Sequence, residues 1–143
     1  RRVMMHKYEF KVRWGDTDAA GIVFTPNFYK WMDEATHEFL AELIKPSSQL
    51  FEEDKMALPI LEAFCQFKKS LLFEDNVVIE TTVVNIQNKT FKLKHVFKRD
   101  DEIIATGYMV RAWTSFSDRP KAVPIPLRVV RKLEKYLEKE VVV

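Results

Sequence analysis

Cysteine, glycine and histidine are scarce in this chain of 143 residues, which holds one, three and three of them. A lone Cys65 cannot close an internal disulfide. It lies in the apolar run from Leu58 to Phe67, reads as a buried small hydrophobe, and points to a reducing compartment, the cytoplasm. His6, His37 and His95 are far apart, and no Cys-x-x-Cys or His-x-x-x-His spacing occurs. No metal site and no cofactor are therefore expected. Few glycines and six prolines exclude collagen-like and low-complexity classes. No apolar stretch approaches the roughly 20 residues of a membrane span. The segment Arg1 to His6 carries no hydrophobic signal core. Lys and Arg number 23 against 21 Asp and Glu, a net charge of +2, so a nucleic-acid partner is not expected.

What is present is a globular balance: 47% hydrophobic, 31% charged and 13% aromatic residues. One domain over residues 1–143 is expected. A chain this short has little room for both a core and a deep private pocket, so an active site would need a second subunit.

Tyr8, Phe10, Val12 and Trp14 alternate with Glu9, Lys11 and Arg13, which predicts a half-buried strand. Gly15 to Gly21, with Asp16 and Asp18, predicts an irregular loop. Thr25 is placed as the N-cap of a long helix with Pro26 at its first position. Phe28, Trp31, Met32, Ala35, Phe39 and Leu43 form its apolar stripe, and Lys30, Glu34 and His37 fall opposite. Pro46 and the serines after it are read as the helix stop, and Leu50 to Ala57 stays unassigned between helix and strand. Strands follow at about Ile60–Leu71, Val77–Ile86, Phe91–Phe97 and Ile103–Phe116, with turns at Phe73–Asn76, Gln87–Lys89 and Arg99–Glu102. A short amphipathic helix is expected from about Leu127 to Lys139. The order β-α-β-β-β-β-α predicts an α+β domain on an antiparallel sheet.

The densest run of special residues is Trp14 to Phe28, where a carboxylate loop leads into a helix N-terminus. That end carries unpaired N–H groups and about half a positive charge. It can favour an ionised carboxylate and bind an oxyanion, a minimal kit for acyl transfer. Asp16 and Asp18 can equally be read as Asx turns that cap the helix.

Gly15-Asp16-Thr17-Asp18-Ala19-Ala20-Gly21-Ile22-Val23-Phe24, followed by Pro26-Asn27-Phe28 and Trp31-Met32-Asp33, resembles the signature of the 4-hydroxybenzoyl-CoA thioesterase family of hotdog-fold proteins. The match is specific over about Phe10 to Ala35. The resemblance implies a hotdog fold: a long central helix wrapped by an antiparallel sheet of about five strands, with a short C-terminal helix. It implies an acyl-CoA thioesterase, with coenzyme A thioesters, or acyl groups on a carrier protein, as substrate. Asp18 matches the catalytic carboxylate, nucleophile or general base. The backbone N–H of Thr25 matches the donor that polarises the thioester carbonyl, and Asp16 a loop-shaping residue. Phe24, Pro26 and Asn27 fall at substrate-contacting positions, and Lys89 aligns with a basic residue at the phosphate-contacting turn. Homodimers or homotetramers are implied.

Lys68, Lys69, Lys92, Lys94 and Lys98 are read as a solvated strand face, Phe28, Trp31 and Phe39 as helix core, and His95 as a core histidine. Two other functions are weighed. A hotdog hydratase or dehydratase would pair its Asp with a histidine, and none follows Asp18 until His37. A non-catalytic module binding acyl-CoA or acyl-carrier protein would have no use for Asp18.

Overall fold

The computed structural model describes residues 4–138. Five antiparallel strands form the main sheet: β1 (His6–Lys11), β3 (Ile60–Phe67), β4 (Asn76–Ile86), β5 (Thr90–Arg99) and β6 (Glu102–Ala112), in the order β1-β4-β5-β6-β3. Across it lies α1 (Pro26–Leu43). A second sheet of two-residue strands, β2 (Met56–Ala57), β7 (Thr114–Ser115) and β8 (Lys121–Ala122), sits beside the short helices α2 (Ser47–Asp54) and α3 (Leu127–Glu134).

The expected fold class stands, with local differences. The first strand ends at Lys11, and Trp14 opens a turn of 3-10 helix. The serines after Pro46 do not merely stop α1; they open α2, which holds most of the unassigned segment and ends at Lys55 in a left-handed conformation (φ 55°). The final strand breaks at Trp113. Its neighbour β5 begins at Thr90, opposite Ala112, so the chain beyond finds no partner there and pairs with β2 and β8 instead. The last helix ends at Glu134, and the expected terminus at Lys139 lies outside the described residues.

The α1 stripe packs into two clusters on the sheet. One gathers Phe28, Trp31 and Met32 with Leu71, Ile79, Phe97 and Met109. The other gathers Phe39, Leu40 and Leu43 with Leu93, Trp113, Val129 and Leu133. Gly107 of β6 lets α1 approach, because a Cβ there would overlap Met32 Sδ. Met32 is fully buried, so overpacking applies. Gly107→Ala lowers unfolding free energy by roughly 1–3 kcal/mol, read by chemical denaturation.

Between the clusters lies a polar belt. His95, fully buried as expected, sits between Thr81 Oγ1 (2.7 Å from Nδ1) and Thr36 Oγ1 (3.2 Å from Nε2). The Thr36 hydroxyl donates to the Met32 carbonyl, so it accepts from Nε2, and Thr81 donates to Nδ1. The neutral ring is thus fully paired. Burial, then the charges of Arg111 and His6, push its pKa down to about 3. The unfolded chain binds this proton below about pH 6.5 and the folded one does not, so stability falls as pH falls through that window. Urea titrations are expected to show an acid-side loss of about 2 kcal/mol between pH 6.5 and 5 that is absent in His95→Gln.

Candidate active site

The loop after β1 folds back on itself. Thr17 bridges to Val23, Asp18 N–H donates to the Ile22 carbonyl, and Gly21 N–H donates to the Asp18 carbonyl. Gly21 takes φ +81°, which a side chain rarely adopts, and this closes the turn that presents Asp18. Asp16 lies below: its Oδ2 accepts the Arg13 N–H, and its carbonyl accepts both the Phe24 N–H and the Asn27 side-chain amide. Asp16 therefore shapes the loop, and the Asn27 amide is spent tying the loop to α1 rather than reaching outward.

Asp18 is exposed, with Oδ1 accepting the Ala20 N–H at 2.9 Å. Among the described residues Oδ2 has no hydrogen-bond partner. Thr25 is the N-cap of α1 and Pro26 its first residue, as expected. The Thr25 backbone is already helical (φ −46°, ψ −44°), and its hydroxyl makes no capping bond. Asn27 N–H donates to Phe24 and Phe28 N–H to Thr25, while Pro26 has no N–H. Thr25 thus holds a backbone N–H with no acceptor among the described residues, at the positive end of an 18-residue helix. Phe24, 54% exposed, and Pro26 flank it at the surface.

Lys89 is exposed on the β4–β5 turn, and one chain does not bring it to Asp18. The loop joins the sheet beside Asn76, where β4 starts, and the turn lies past Ile86, where β4 ends. Eleven residues of strand separate them, roughly 35 Å. Lys69, Lys94 and Lys98 pair with Glu102, Glu138 and Glu80, and Lys92 lies over the Tyr108 ring, as a solvated face predicts. Among the described residues no group of His, Cys, Asp and Glu could hold a metal ion, and no helix is long and apolar enough to cross a membrane.

One interaction escaped the sequence reading, and one residue expected on the half-buried first strand lies elsewhere. Arg111, 2% exposed, donates to Asp33 Oδ1 (2.9 Å) and the Leu58 carbonyl (3.1 Å), with its Nε left unpartnered. Asp33 in turn lies 3.3 Å from His37, whose Nδ1 meets Ser47. The signal was present: Arg111 falls in phase with Met109 and Gly107, on the helix side of β6. Trp14, 74% exposed and set edge-on against Phe73, forms an aromatic lip beside the Asp18 loop.

The model of the thioesterase-like superfamily matches residues 12–133. The chain belongs to that superfamily. A solved gentisyl-coenzyme A thioesterase superimposes with a TM-score of 0.80 at 48% identity, covering 90% of this chain and 98% of the other. The 4-hydroxybenzoyl-CoA thioesterase of Pseudomonas sp. strain CBS-3 is 24% identical over 81% of this chain and 88% of its own. A 1,4-dihydroxy-2-naphthoyl-CoA hydrolase of Thermosynechococcus vestitus is 27% identical over 85% and 84%. The matched span takes in the whole Asp18 loop, α1 and the β4–β5 turn.

Proposed function

We propose that this protein hydrolyses acyl-CoA thioesters to a carboxylic acid and coenzyme A, with a hydroxylated aromatic acyl group. The relatives' activities support the reaction class, and the acyl groups they share support the substrate class. What supports the mechanism is an exposed Asp18 carboxylate on the loop that leads into α1, together with a Thr25 N–H that has no acceptor among the described residues. The thioester carbonyl oxygen accepts from Thr25, which stabilises the negative charge that develops there. Asp18 either attacks the carbonyl carbon, releasing the CoA thiolate and leaving an anhydride for water to open, or draws a proton from an attacking water.

The site belongs to a homodimer. β3 is a sheet edge of eight residues that exposes Ile60, Leu61, Phe64 and Phe67 and bears a single carboxylate, Glu62. The opposite edge, β1, carries Lys7, Glu9 and Lys11 instead. Bare apolar edges invite pairing, and charged ones discourage it. The Phe67 end of β3 lies toward Leu71, which accepts the Val23 N–H; the Ile60 end follows Pro59, whose carbonyl accepts the Ala112 N–H next to Trp113 and Lys89. Two copies pairing their β3 edges antiparallel about a two-fold axis set Lys89 of the partner subunit toward Asp18. The phosphate end of coenzyme A then lies at that lysine.

Thiol release from benzoyl, hydroxybenzoyl, dihydroxybenzoyl and straight-chain acyl-CoAs tests the reading. Release confined to the straight-chain substrates overturns the aromatic assignment, and CoA binding without release favours a binding module.

A further inference from the structure

The junction of α1 and α2 carries a second set of reactive groups, apart from the Asp18 loop. Ser47 opens α2, and its Oγ stands 2.6 Å from His37 Nδ1. On the other side of the ring, His37 Nε2 stands 3.3 Å from Asp33 Oδ1, one turn back along α1. The buried Arg111 donates to that same Oδ1 at 2.9 Å and holds the carboxylate in place. A hydroxyl nucleophile, a base and an orienting carboxylate thus stand in line. His37 lies twelve residues beyond Thr25, roughly 18 Å along the helix axis, so within one chain this set does not share the Asp18 site.

Charge sets the direction of the proton chain. An ionised carboxylate only accepts, so the proton of the neutral ring sits on Nε2, facing Asp33. Nδ1 then holds the free lone pair, and the Ser47 hydroxyl donates to it. The hydroxyl is not spent as a helix cap: α2 has Pro46 as its N-cap and no side-chain capping bond. The Ser48 and Gln49 N–H groups therefore have no acceptor among the described residues, and they adjoin Ser47 as donors for an oxyanion. Solvent reaches the pair, since Ser47 is half-buried and the His37 side chain is 44% exposed. Phe51, at i+4 from Ser47 and itself exposed, offers an apolar wall backed by Phe116. Tying α2 to α1 needs only the Ser47–His37 bond; the carboxylate behind the ring and the arginine behind the carboxylate add charge and orientation to a base. We propose that Ser47 is a second nucleophile, activated by His37, that cleaves aryl esters. Ser47 Oγ attacks the ester carbonyl carbon as its proton passes to His37 Nδ1. The bond from that carbon to the phenolic oxygen breaks, and the phenol leaves with the proton. Water, deprotonated by His37, then attacks the acyl-serine, frees the carboxylic acid and restores Ser47. Asp33 is a positioning residue that steadies the imidazolium in both steps. None of this depends on the Asp18 chemistry.

The test treats the whole protein with p-nitrophenyl acetate and with a fluorophosphonate probe, in wild type, Ser47→Ala, His37→Gln, Asp33→Asn and Asp18→Asn. Expected is one fluorophosphonate adduct, on Ser47, located by peptide mass spectrometry. Ester kcat/KM falls by ~100-fold or more in Ser47→Ala and His37→Gln. Both variants keep the wild-type melting temperature and release thiol from acyl-CoA within ~3-fold of wild type. Asp33→Asn moves the acid limb of the ester pH profile to lower pH, because the ring loses the negative charge that favours its protonated form. Asp18→Asn keeps ester turnover. The proposal is overturned if wild type turns over no ester, if the probe labels another residue or none, if Ser47→Ala cleaves the ester at the wild-type rate, or if Asp18→Asn loses ester and thioester together. Labelling and ester turnover at Ser47 in a protein that cleaves no acyl-CoA sustain this proposal and remove the thioesterase reading alone.

Discussion

Asp18→Asn lowers kcat by at least ~100-fold while KM and the melting temperature stay near wild type, the pattern of a group that acts only in the transition state. Asparagine is the informative substitution. Asp18 Oδ1 accepts the Ala20 N–H, and an amide oxygen accepts the same bond, so the turn closed by Gly21 survives. What disappears is the negative charge, and with it both nucleophilic attack and proton abstraction. Asp18→Ala removes the turn bond as well, so its loss of activity comes with some loss of loop order. Thiol release with the best acyl-CoA of the panel reads both variants, and wild-type rates for Asp18→Asn would remove the carboxylate from the mechanism. With the carboxylate charge gone, the Thr25 N–H alone is expected to leave only the modest rate that polarisation of the carbonyl gives.

The second large effect is on assembly. Leu61→Lys together with Phe64→Lys puts charge on both faces of the β3 edge. Each side chain is more than half exposed in the single chain, at 57% and 58%, so the fold does not rest on them. An edge lysine opposes pairing between copies. If the proposed dimer forms through β3, the expected solution mass of this variant drops to 16.9 kDa, and activity at submicromolar protein falls by on the order of tenfold or more. Light scattering and thiol release on the same sample check both halves. A wild-type protein fully active as a 16.9 kDa monomer would sink the shared site.

How much of this was legible in the sequence follows from the range of each interaction. The alternation in Phe91, Leu93, His95 and Phe97 is local, and all four are buried on one side of β5. The stripe of α1 is equally local, and so was the loop rich in glycine and aspartate that precedes it. Strand ends depend on what lies alongside. Nothing near Trp113 in the chain says that β5 stops opposite Ala112. Thr25 stands at the N-cap and Pro26 opens the helix, as the sequence places them; that the Thr25 hydroxyl makes no capping bond is set by the backbone geometry of the loop and is not legible in its residue type. Lys89 was placed by motif, and motif carries no distance; only the register of β4 shows it at the far end of the sheet. Arg111 was overlooked because its partners, Asp33 and Leu58, lie 78 and 53 residues away in the chain.

The length of β4 also has a genetic meaning. If a carboxylate from one copy works with a lysine from the other, an allele damaged at Asp18 and an allele damaged at Lys89 can share a cell and restore each other. In a mixed dimer both lesions fall on the same site, and the other site draws its sound Asp18 and its sound Lys89 from opposite chains. Each lesion is then recessive to the other. Intragenic complementation of this kind needs no contact between the two mutated positions, only a strand long enough to keep them apart.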